Sequence, residues 1–525
     1  MARVVTPVHE CSREHCIRSR HHRWGFWHDL ATAPALHLQS WEGDAGTPSV
    51  NPSIDLDKVR VRIMPGSKEP TVVVVGGGLA GLTATHMLME AGCEVTLLEA
   101  QTRPGGRIRT SRDPFPDGLS AEIGAAAFIP VEPDIAMHYI RKFSLPISNP
   151  EPRVLPIVYH FRGKRMIEDR GGHLRWPQKL SDEERQLGIL GMRNKYLKSV
   201  ADEIAGALGG GTDDASTIEK YDRLSYADFM TTAGATRDAA ELLAILDWDV
   251  VGEDLHRRSA LDVLAQVAVY STFTDARYSI DGGNDLLPMA LASALGHRMH
   301  YNAMVESIEH NPDGVTVHYT RGPISRVLTA DHVVMALPLA RVAGIRFDPV
   351  LSAEKRNAIH ELGYASVSRA FVQCRRRFWI DEGLSGYAFT DLPITFMWDA
   401  APAHHSGRGL LQCFMTGDRA RRFAGLDDEE RLLSTLENVQ HVFPAIRDNF
   451  ESAVFKCWDE DAYSPGAFAY FKPGQISRCL PPLRQTEGRL HFAGEHLGPL
   501  LFRGLAQAAM ESGRSAANEI LEGRG

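Results

Sequence analysis

Three glycines with a fixed spacing are the residues of this chain whose chemistry follows most directly from their type and position. Gly76, Gly78 and Gly81 form the pattern G-x-G-x-x-G immediately after the β-branched run at residues 72–75. In such a pattern the first glycine permits a tight turn, the second lets the backbone approach a pyrophosphate, and the third lets the next helix pack against the strand. The N–H groups at the start of that helix then face the phosphates. The spacing predicts a dinucleotide-binding strand–turn–helix unit, with a purely structural glycine corner as the alternative.

An acidic residue and a second glycine turn extend this prediction. Glu99 ends the next apolar run, 18 residues after Gly81, where a carboxylate can bind the two hydroxyls of an adenosine ribose. Gly105, Gly106 and Arg107 follow, and a glycine turn with a guanidinium suits the far side of the same pyrophosphate. These residues favour FAD as the dinucleotide, and the alternative is a plain surface turn at the glycine pair.

The composition limits the classes of protein to which the chain can belong. With 525 residues it is long enough for two or three domains, and its 44% apolar and 23% charged residues are ordinary for a globular protein. The net charge of −9 argues against a nucleic-acid partner. No apolar run reaches about 18 residues and no apolar leader is visible, so we expect no membrane association and no secretory signal. Seven scattered cysteines favour reduced thiols in a cytoplasmic protein.

Residues 1–70 precede the first predicted strand and form an N-terminal arm. Within it His9, Cys11, His15 and Cys16 could suggest a metal cluster. Their spacing matches no common zinc pattern, and no second pair follows at the distance of a zinc finger. We therefore predict no metal site.

Further motifs follow the glycine turn in a fixed order and resemble those of one family. They are VVVVGGGLAGL, VTLLEA and PGGR, followed by residues 278–292, 331–340, 369–379, 458–475 and 490–517. This series, spanning about residues 71–521, resembles the flavin-containing amine oxidase family, which includes monoamine, polyamine and L-amino-acid oxidases.

The resemblance implies an α/β fold (α+β overall) of three interleaved parts. A Rossmann-type FAD-binding domain takes residues 71–130, 278–345 and 486–525. A substrate-binding sheet domain takes residues 131–174 and 346–485, and a helical insertion takes residues 175–277. Within this plan a hairpin is expected around residues 312–314, which read Pro-Asp-Gly.

The resemblance also assigns cofactor contacts. The backbone at Val305 would meet the adenine, Glu495 would lie beside the ribityl chain, and Trp458 beside the isoalloxazine. The helix that begins at Leu505 and Ala506 would direct N–H groups at the flavin O2, where they stabilise negative charge. The full set of expected cofactor residues is Gly76, Gly78, Leu79, Ala80, Gly81, Glu99, Ala100, Gly105, Gly106, Arg107, Gly124, Ala125, Ala126, Val305, Trp458, Gly494, Glu495, Leu505 and Ala506.

Two departures from the family pattern concern the flavin and the pocket beside it. Ala467 stands where monoamine oxidases carry the cysteine that links the flavin covalently, so FAD should be noncovalent. Phe468 preserves one wall of the family's aromatic cage, but Leu505 replaces the tyrosine or tryptophan of the other wall. The pocket should therefore be wider and apolar, which suits a bulkier substrate.

Two further departures concern charge in the pocket, where the expected catalytic residues are Arg369, Glu122, Phe468, Leu505 and Phe128. Arg369 replaces the family's lysine that holds a water against flavin N5, and a guanidinium cannot act as a base. It could hold a water, bind an anionic substrate group, stabilise the reduced flavin, or simply point to solvent. Phe128 replaces the arginine with which L-amino-acid oxidases bind the substrate carboxylate, so an amino-acid substrate would need another anchor, such as Arg369. Glu122 is the nearest candidate for proton handling, with a structural ion pair as the alternative.

These residues lead to an expected function and its competitors. We expect an FAD oxidase that takes hydride from a carbon bearing nitrogen, giving an imine while O2 becomes H2O2. The substrate would be a small-molecule amine, amino acid or amide-like compound. Because Phe128, Arg369 and Leu505 depart from the pattern of a standard small-amine or amino-acid site, a specialised, biosynthetic substrate is favoured. A flavin-dependent C–C desaturase or isomerase and a non-catalytic flavoprotein are the alternatives. The oligomeric state is not fixed by the sequence, and a homodimer is one option.

Overall fold

The computed structural model describes residues 3–5, 69–131, 134–148, 155–168, 174–209, 214–246, 252–273, 277–402 and 407–523. The candidate metal ligands of the N-terminal arm lie outside these residues.

A five-stranded parallel sheet carries the glycine turn. Its central strand, Thr71–Val75, is buried on both faces, because the helix Leu79–Glu90 packs on one face and a second, four-stranded sheet packs on the other, so all four valines contact apolar neighbours. In spatial order the strands are Met299–His300, Glu94–Leu98, Thr71–Val75, His332–Met335 and Leu490–Phe492.

Two helices cross closely over this sheet. A Cβ on Gly513 of the C-terminal helix would lie only 2.1 Å from the carbonyl oxygen of Ala80 in the first helix. Glycine at this position therefore lets the helices Leu79–Glu90 and Ala506–Glu522 approach to backbone contact. The first residues of both helices lie at one edge of the sheet, where they line the same cavity as Val75 and Leu98 at the ends of two parallel strands.

An eight-stranded, mostly antiparallel sheet faces that edge. Its strands are, in spatial order, Arg3–Val5, Phe450–Cys457, Val367–Cys374, Gly409–Thr416, Phe396–Asp399, Ala388–Thr390, Val158–Phe161 and Lys164–Ile167. Arg3–Val5 pairs with the edge of this sheet, so these three residues of the predicted N-terminal arm form an edge strand.

A four-stranded sheet and three short strand pairs complete the β-structure. The former contains Ile324–Ala330, Gly314–Arg321, Ala303–Asn311 and Arg346–Asp348. Its central hairpin turns at residues 312–313, as the Pro-Asp-Gly sequence predicts. The short pairs are Thr110–Ser111 with Ala121–Glu122, Ile147–Ser148 with Ser279–Ile280, and Gly363–Tyr364 with Ala469–Tyr470.

Helices make up most of the described residues between 182 and 273, and further helices pack on the sheets. The described helices of that range are Asp182–Arg193, the π-helix Asn194–Lys198, Ser199–Leu208, Ala215–Asp222, Tyr226–Thr232, Arg237–Leu246 and Ala260–Phe273. The other α-helices of the described residues, besides the two that cross, are Ile135–Lys142, Leu286–Leu295, Leu339–Val342, Ala353–Glu361, Phe378–Asp381, Gly417–Ala424, Asp428–Val442, Ile446–Asn449 and Gln475–Arg484. Short 3₁₀ turns lie at Gly296–Arg298, Trp458–Glu460 and Leu500–Phe502.

The mixed α/β architecture with a parallel, Rossmann-type sheet confirms the predicted fold class. In the part of the chain that the structure describes, none of the helices combines the length and hydropathy of a bilayer-spanning segment. The five described cysteines are all buried and form no disulfide.

Candidate active site

One cavity of about 2560 Å³ joins the glycine turn of the parallel sheet to the face of the eight-stranded sheet. Of the residues expected to contact a cofactor, all line this cavity except Gly81. Of the expected catalytic residues, Arg369, Glu122, Phe468 and Leu505 line it, and Phe128 does not. Most of the residues that the sequence predicts for the site therefore line one continuous cavity.

The glycine turn has the geometry that its spacing predicts. Gly76 has φ of +108°, and a Cβ there would lie 2.4 Å from the carbonyl oxygen of Ala336. A Cβ on Gly81 would lie 2.0 Å from the Gly76 oxygen, so Gly81 serves helix–strand packing rather than the cavity. A Cβ on Gly78 would meet nothing within 4 Å, and Gly78 precedes a helix whose start has no side-chain cap and no acidic residue. The N–H groups of this helix end can therefore bind an anion such as a pyrophosphate.

Glu99 is held at the end of the neighbouring strand by backbone donors. Its Oε2 accepts the Gly77 N–H at 2.6 Å and its Oε1 accepts the Gln101 N–H at 2.7 Å. Burial raises the pKa of Glu99, and these two N–H groups oppose the shift. The carboxylate is thus fixed at the cavity wall, beside the region where Val305 also lies.

Arg107 and Glu495 form an ion pair across the cavity wall. Arg107 Nη1 lies 2.8 Å from Glu495 Oε1 and donates to the Ala467 carbonyl at 2.7 Å, while the Ala469 N–H donates to the same Oε1 at 3.0 Å. Glu495 Oε2 is buried and has no hydrogen-bond partner among the described residues. This buried carboxylate oxygen is therefore available to accept a hydrogen bond from a bound molecule. A hydroxyl of a ribityl chain can donate such a hydrogen bond, and with the two uncapped helix ends these residues fit FAD.

The second helix end lies at the other part of the site. The helix Ala506–Glu522 follows Leu505 with no side-chain cap, so its first N–H groups are open to the cavity. Beside it, Trp458 is 3% exposed, and its Nε1 donates to the Ile123 carbonyl at 3.1 Å. Lys456 Nζ lies 4.3 Å from the centre of the Trp458 ring and 2.7 Å from Asp461. The ion pair holds the ammonium group against the indole, and this cation–π contact helps to fix the ring.

Arg369 lies at the cavity and not in bulk solvent. Its Nη1 donates to the backbone carbonyls of Glu122, at 2.8 Å, and of Gly124. The guanidinium carbon lies 5.1 Å from the centre of the Phe414 ring, within the range of a cation–π contact. Arg369 thus ties the segment at residues 122–124 to the eight-stranded sheet.

The Glu122 side chain is held by neutral donors. It accepts the Asn284 N–H at 2.8 Å and the Thr110 hydroxyl at 3.0 Å. Burial raises the pKa of Glu122 to about 7. The nearby Arg112 pairs instead with Asp285 at 2.7 Å. Among the described residues Glu122 therefore forms no ion pair, which was the alternative to a role in proton transfer. A carboxyl group with this pKa can hold or release a proton near neutral pH.

The two cage positions and the linkage position lie together. Phe468 packs on Gly252, where a Cβ would be 2.5 Å from the ring, and Leu505 lines the cavity near it. Ala467 also lines the cavity and offers no nucleophilic atom for a covalent flavin link.

The expectation that Phe128 takes part in the site is wrong. Its side chain is 1% exposed and stacks on Tyr278 at a centroid distance of 5.4 Å. The two residues exchange both backbone hydrogen bonds as an isolated β-bridge. Side chains alternate along an extended segment, so Ala127 and Ile129 line the cavity while Phe128 enters the core.

Sequence reasoning missed a buried charge cluster behind the cage. Arg258 Nε lies 2.9 Å from Asp262, and Arg503 also contacts this carboxylate, with all three side chains at most 1% exposed. Gln266 connects the cluster to the cavity by accepting from Arg258 and donating to the Arg503 carbonyl. The i, i+4 spacing of Arg258 and Asp262 was a local signal of this pair.

Comparison with known proteins agrees with this geometry. The model of a family described as flavin containing amine oxidoreductase matches residues 79–521. The putative L-amino-acid oxidase YobN of Bacillus subtilis is 29% identical over 486 residues, covering 89% of this chain and 98% of the relative. An L-amino-acid oxidase of Gloydius blomhoffii is 28% identical over 466 residues, covering 86% and 88%.

Solved structures share the fold. Putrescine oxidase bound to putrescine superposes with a TM-score of 0.73 at 22% identity, covering 87% of this chain and all of that one. Cyclohexylamine oxidase from Brevibacterium oxydans gives a TM-score of 0.72 at 21% identity, with the same coverage. The uncapped helix ends, the buried acceptor on Glu495 and the match over most of the length agree that this chain belongs to the flavin-containing amine oxidoreductase family, with FAD as its cofactor.

Proposed function

We propose that the protein is an oxidase that removes a hydride from a carbon bearing nitrogen, while the nitrogen loses a proton, so that two electrons and two protons pass in the end to O2. The substrate, an amine, amino acid or amide-like compound, becomes an imine, and O2 becomes H2O2. The observation that carries this proposal is the single cavity that continues from the dinucleotide-binding turn to Arg369, Phe468 and Leu505. A substrate bound near Arg369, Phe468 and Leu505 would lie directly beside the flavin end of a cofactor bound at the glycine turn.

The chain's own residues bind and orient the reactants. The helix end at Gly78 and the Arg107–Glu495 pair hold the cofactor, and the N–H groups that follow Leu505 stabilise negative charge at the end of the flavin. FAD, when bound, supplies the acceptor for the hydride and passes both electrons to O2.

Arg369 would position one segment of the cavity wall, and Glu122 would transfer protons. Arg369 holds the carbonyls of residues 122 and 124, which keeps this segment against the reacting region. Glu122, with a pKa raised to about 7 by burial, can accept or return a proton there. Leu505 leaves more room opposite Phe468 than an aromatic residue would, which favours a bulky and specialised substrate.

The test is a metabolite panel mixed with the holoenzyme without oxygen. The proposal predicts that amines or amino acids, and not their nitrogen-free analogues, bleach the flavin absorbance. With oxygen present, one H2O2 should form per substrate, and the product should hydrolyse to a carbonyl compound with release of ammonia or an amine. A product that keeps its C–N single bond and gains a C=C bond would contradict the proposal and support a desaturase.

A further inference from the structure

A row of aromatic rings crosses the cavity face of the eight-stranded sheet. Adjacent ring centroids are separated by 5.1, 6.0, 4.6, 4.8 and 6.0 Å. In order, the rings belong to Trp176, Tyr159, Phe389, Phe396, Trp398 and Phe414, and all six line the cavity. We call this set the aromatic wall.

Strand register places the rings on one face. Phe389 is paired with Tyr159 on one neighbouring strand and with Phe396 on the other, and Phe396 is paired with Phe414. Directly paired residues project to the same side of a sheet, so these four rings form a ladder across four strands. Trp398, two residues after Phe396, projects to the same side, and Trp176 packs edge-on against Tyr159.

The wall has two ends with different surroundings. At one end the Arg369 guanidinium lies 5.1 Å from the Phe414 ring centre, in the region that the proposed function assigns to the reacting carbon. At the other end lie Tyr159 and Trp176, opposite the helical side of the cavity at Leu197 and Ala201. Several ring diameters therefore separate the reacting region from the far end.

The six rings differ in how deeply they are buried. Phe396 and Phe414 are 3% and 4% exposed and act as the base of the wall. Trp398 and Trp176 are only half-buried, and each presents part of its indole to the cavity, one near Arg369 and one at the far end. Flat apolar surfaces of this kind bind aromatic groups by offset or edge-to-face contact.

We propose that the substrate carries two aromatic ring systems, one bound beside Trp398 near the reacting carbon and the second bound at Tyr159 and Trp176. A substrate with one ring would occupy only the first position and leave the distant half of the wall in contact with water. This inference rests on the proposed function for the position of the reacting carbon, but the wall itself does not.

The test compares matched ligands on the holoenzyme without oxygen. The amino-acid series is O-butyl-L-tyrosine, O-(4-phenylbutyl)-L-tyrosine and O-(4-cyclohexylbutyl)-L-tyrosine, whose extended chain lets a second ring lie several ring diameters from the first, and the amine series is the corresponding tyramine ethers. Dissociation constants come from the perturbation of the flavin spectrum, and reduction rates come from its bleaching. In at least one series the two-ring compound should bind at least about tenfold more tightly than the one-ring compound, equivalent to about 1.4 kcal/mol, and also more tightly than the cyclohexyl analogue.

Two variants locate the effect. Trp176→Leu should reduce the ratio of one-ring to two-ring dissociation constants to nearly one, because the distant ring loses its contact. Ile167→Ala, a change at an exposed position of the outermost strand, should keep the wild-type ratio.

The outcomes separate this inference from the proposed function. Equal binding of one-ring and two-ring compounds, equal binding of the cyclohexyl analogue, or no binding in either series would overturn the two-ring inference. If the two-ring advantage is present but no nitrogen compound reduces the flavin, the proposed function fails while the aromatic wall stands as a binding site.

Discussion

Replacement of Arg369 by alanine is the perturbation whose effect follows most directly from the contacts of the site. Arg369 Nη1 donates to the carbonyls of residues 122 and 124, and Trp458 Nε1 donates to the carbonyl of Ile123 between them. Three consecutive carbonyls therefore connect one segment of the cavity wall to the eight-stranded sheet. Arg369→Ala removes two of these three connections.

The size of the effect can be worked from these hydrogen bonds. A hydrogen bond from a charged donor contributes about 1.5–3 kcal/mol. Arg369 faces a cavity that water can enter, so solvent can partly replace both bonds, and we expect a loss near the low end, about 2–3 kcal/mol in total. Displacement of the segment beside the reacting carbon should also slow anaerobic flavin reduction by ~10–1000-fold, equivalent to about 1.4–4 kcal/mol of barrier.

The assay combines thermal unfolding with stopped-flow flavin reduction. Arg369→Lys distinguishes two roles, because lysine can donate to a carbonyl but cannot form the planar two-point contact of a guanidinium. Lysine should restore much of both readouts if carbonyl anchoring is the role, and should fail to restore reduction if Arg369 binds a substrate group at two points. Arg326→Ala, on an exposed position of the strand Ile324–Ala330, is the matched control. A wild-type midpoint and reduction rate in Arg369→Ala would refute the reasoning.

Three further predictions concern the cofactor and the buried carboxyls. Acid precipitation should release free FAD, since Ala467 offers no linkage atom, and a yellow protein pellet would contradict this. Glu495→Gln should weaken FAD binding at least about tenfold, or about 1.4 kcal/mol, in titrations of the apoprotein, because Arg107 loses its ionic partner; unchanged affinity would exclude this role. Glu122 has a folded pKa of about 7 against an ordinary value of 4.5, so the folded state binds the extra proton and stability should fall as pH rises from 4.5 to 7. Glu122→Gln should lessen that fall in thermal midpoints measured across this range, and identical slopes in variant and wild type would argue against the raised pKa.

Local features of the site were predictable from the sequence. The turn at Gly76 and Gly78 depends on residues within one strand–turn–helix unit, and at Gly76 the positive φ and the close approach of Ala336 require glycine. The pairing of Glu99 with backbone N–H groups likewise follows from its place at the end of the adjacent strand. These features need no knowledge of distant contacts.

Contacts between segments distant in the chain could not be predicted from the sequence. Arg369 meets residues 122 and 124 across a separation of about 250 positions, and nothing in either segment indicates the other. Phe128 was assigned to the cavity, but a shift of one residue in an extended segment reverses the side that a side chain faces. The aromatic wall needs the register of four strands whose order in the sheet differs from their order in the chain. Its only local signal was the apolar and aromatic character of these short strands.

The most direct test of the central claim uses a reducing substrate labelled with deuterium on the carbon that bears nitrogen. Transfer of hydrogen from this carbon predicts a severalfold slower anaerobic flavin reduction with the labelled compound, and a product that has lost one deuterium from that carbon. Reduction at an unchanged rate, with all deuterium retained in the product, would show that the cavity oxidises a different bond and would contradict the account.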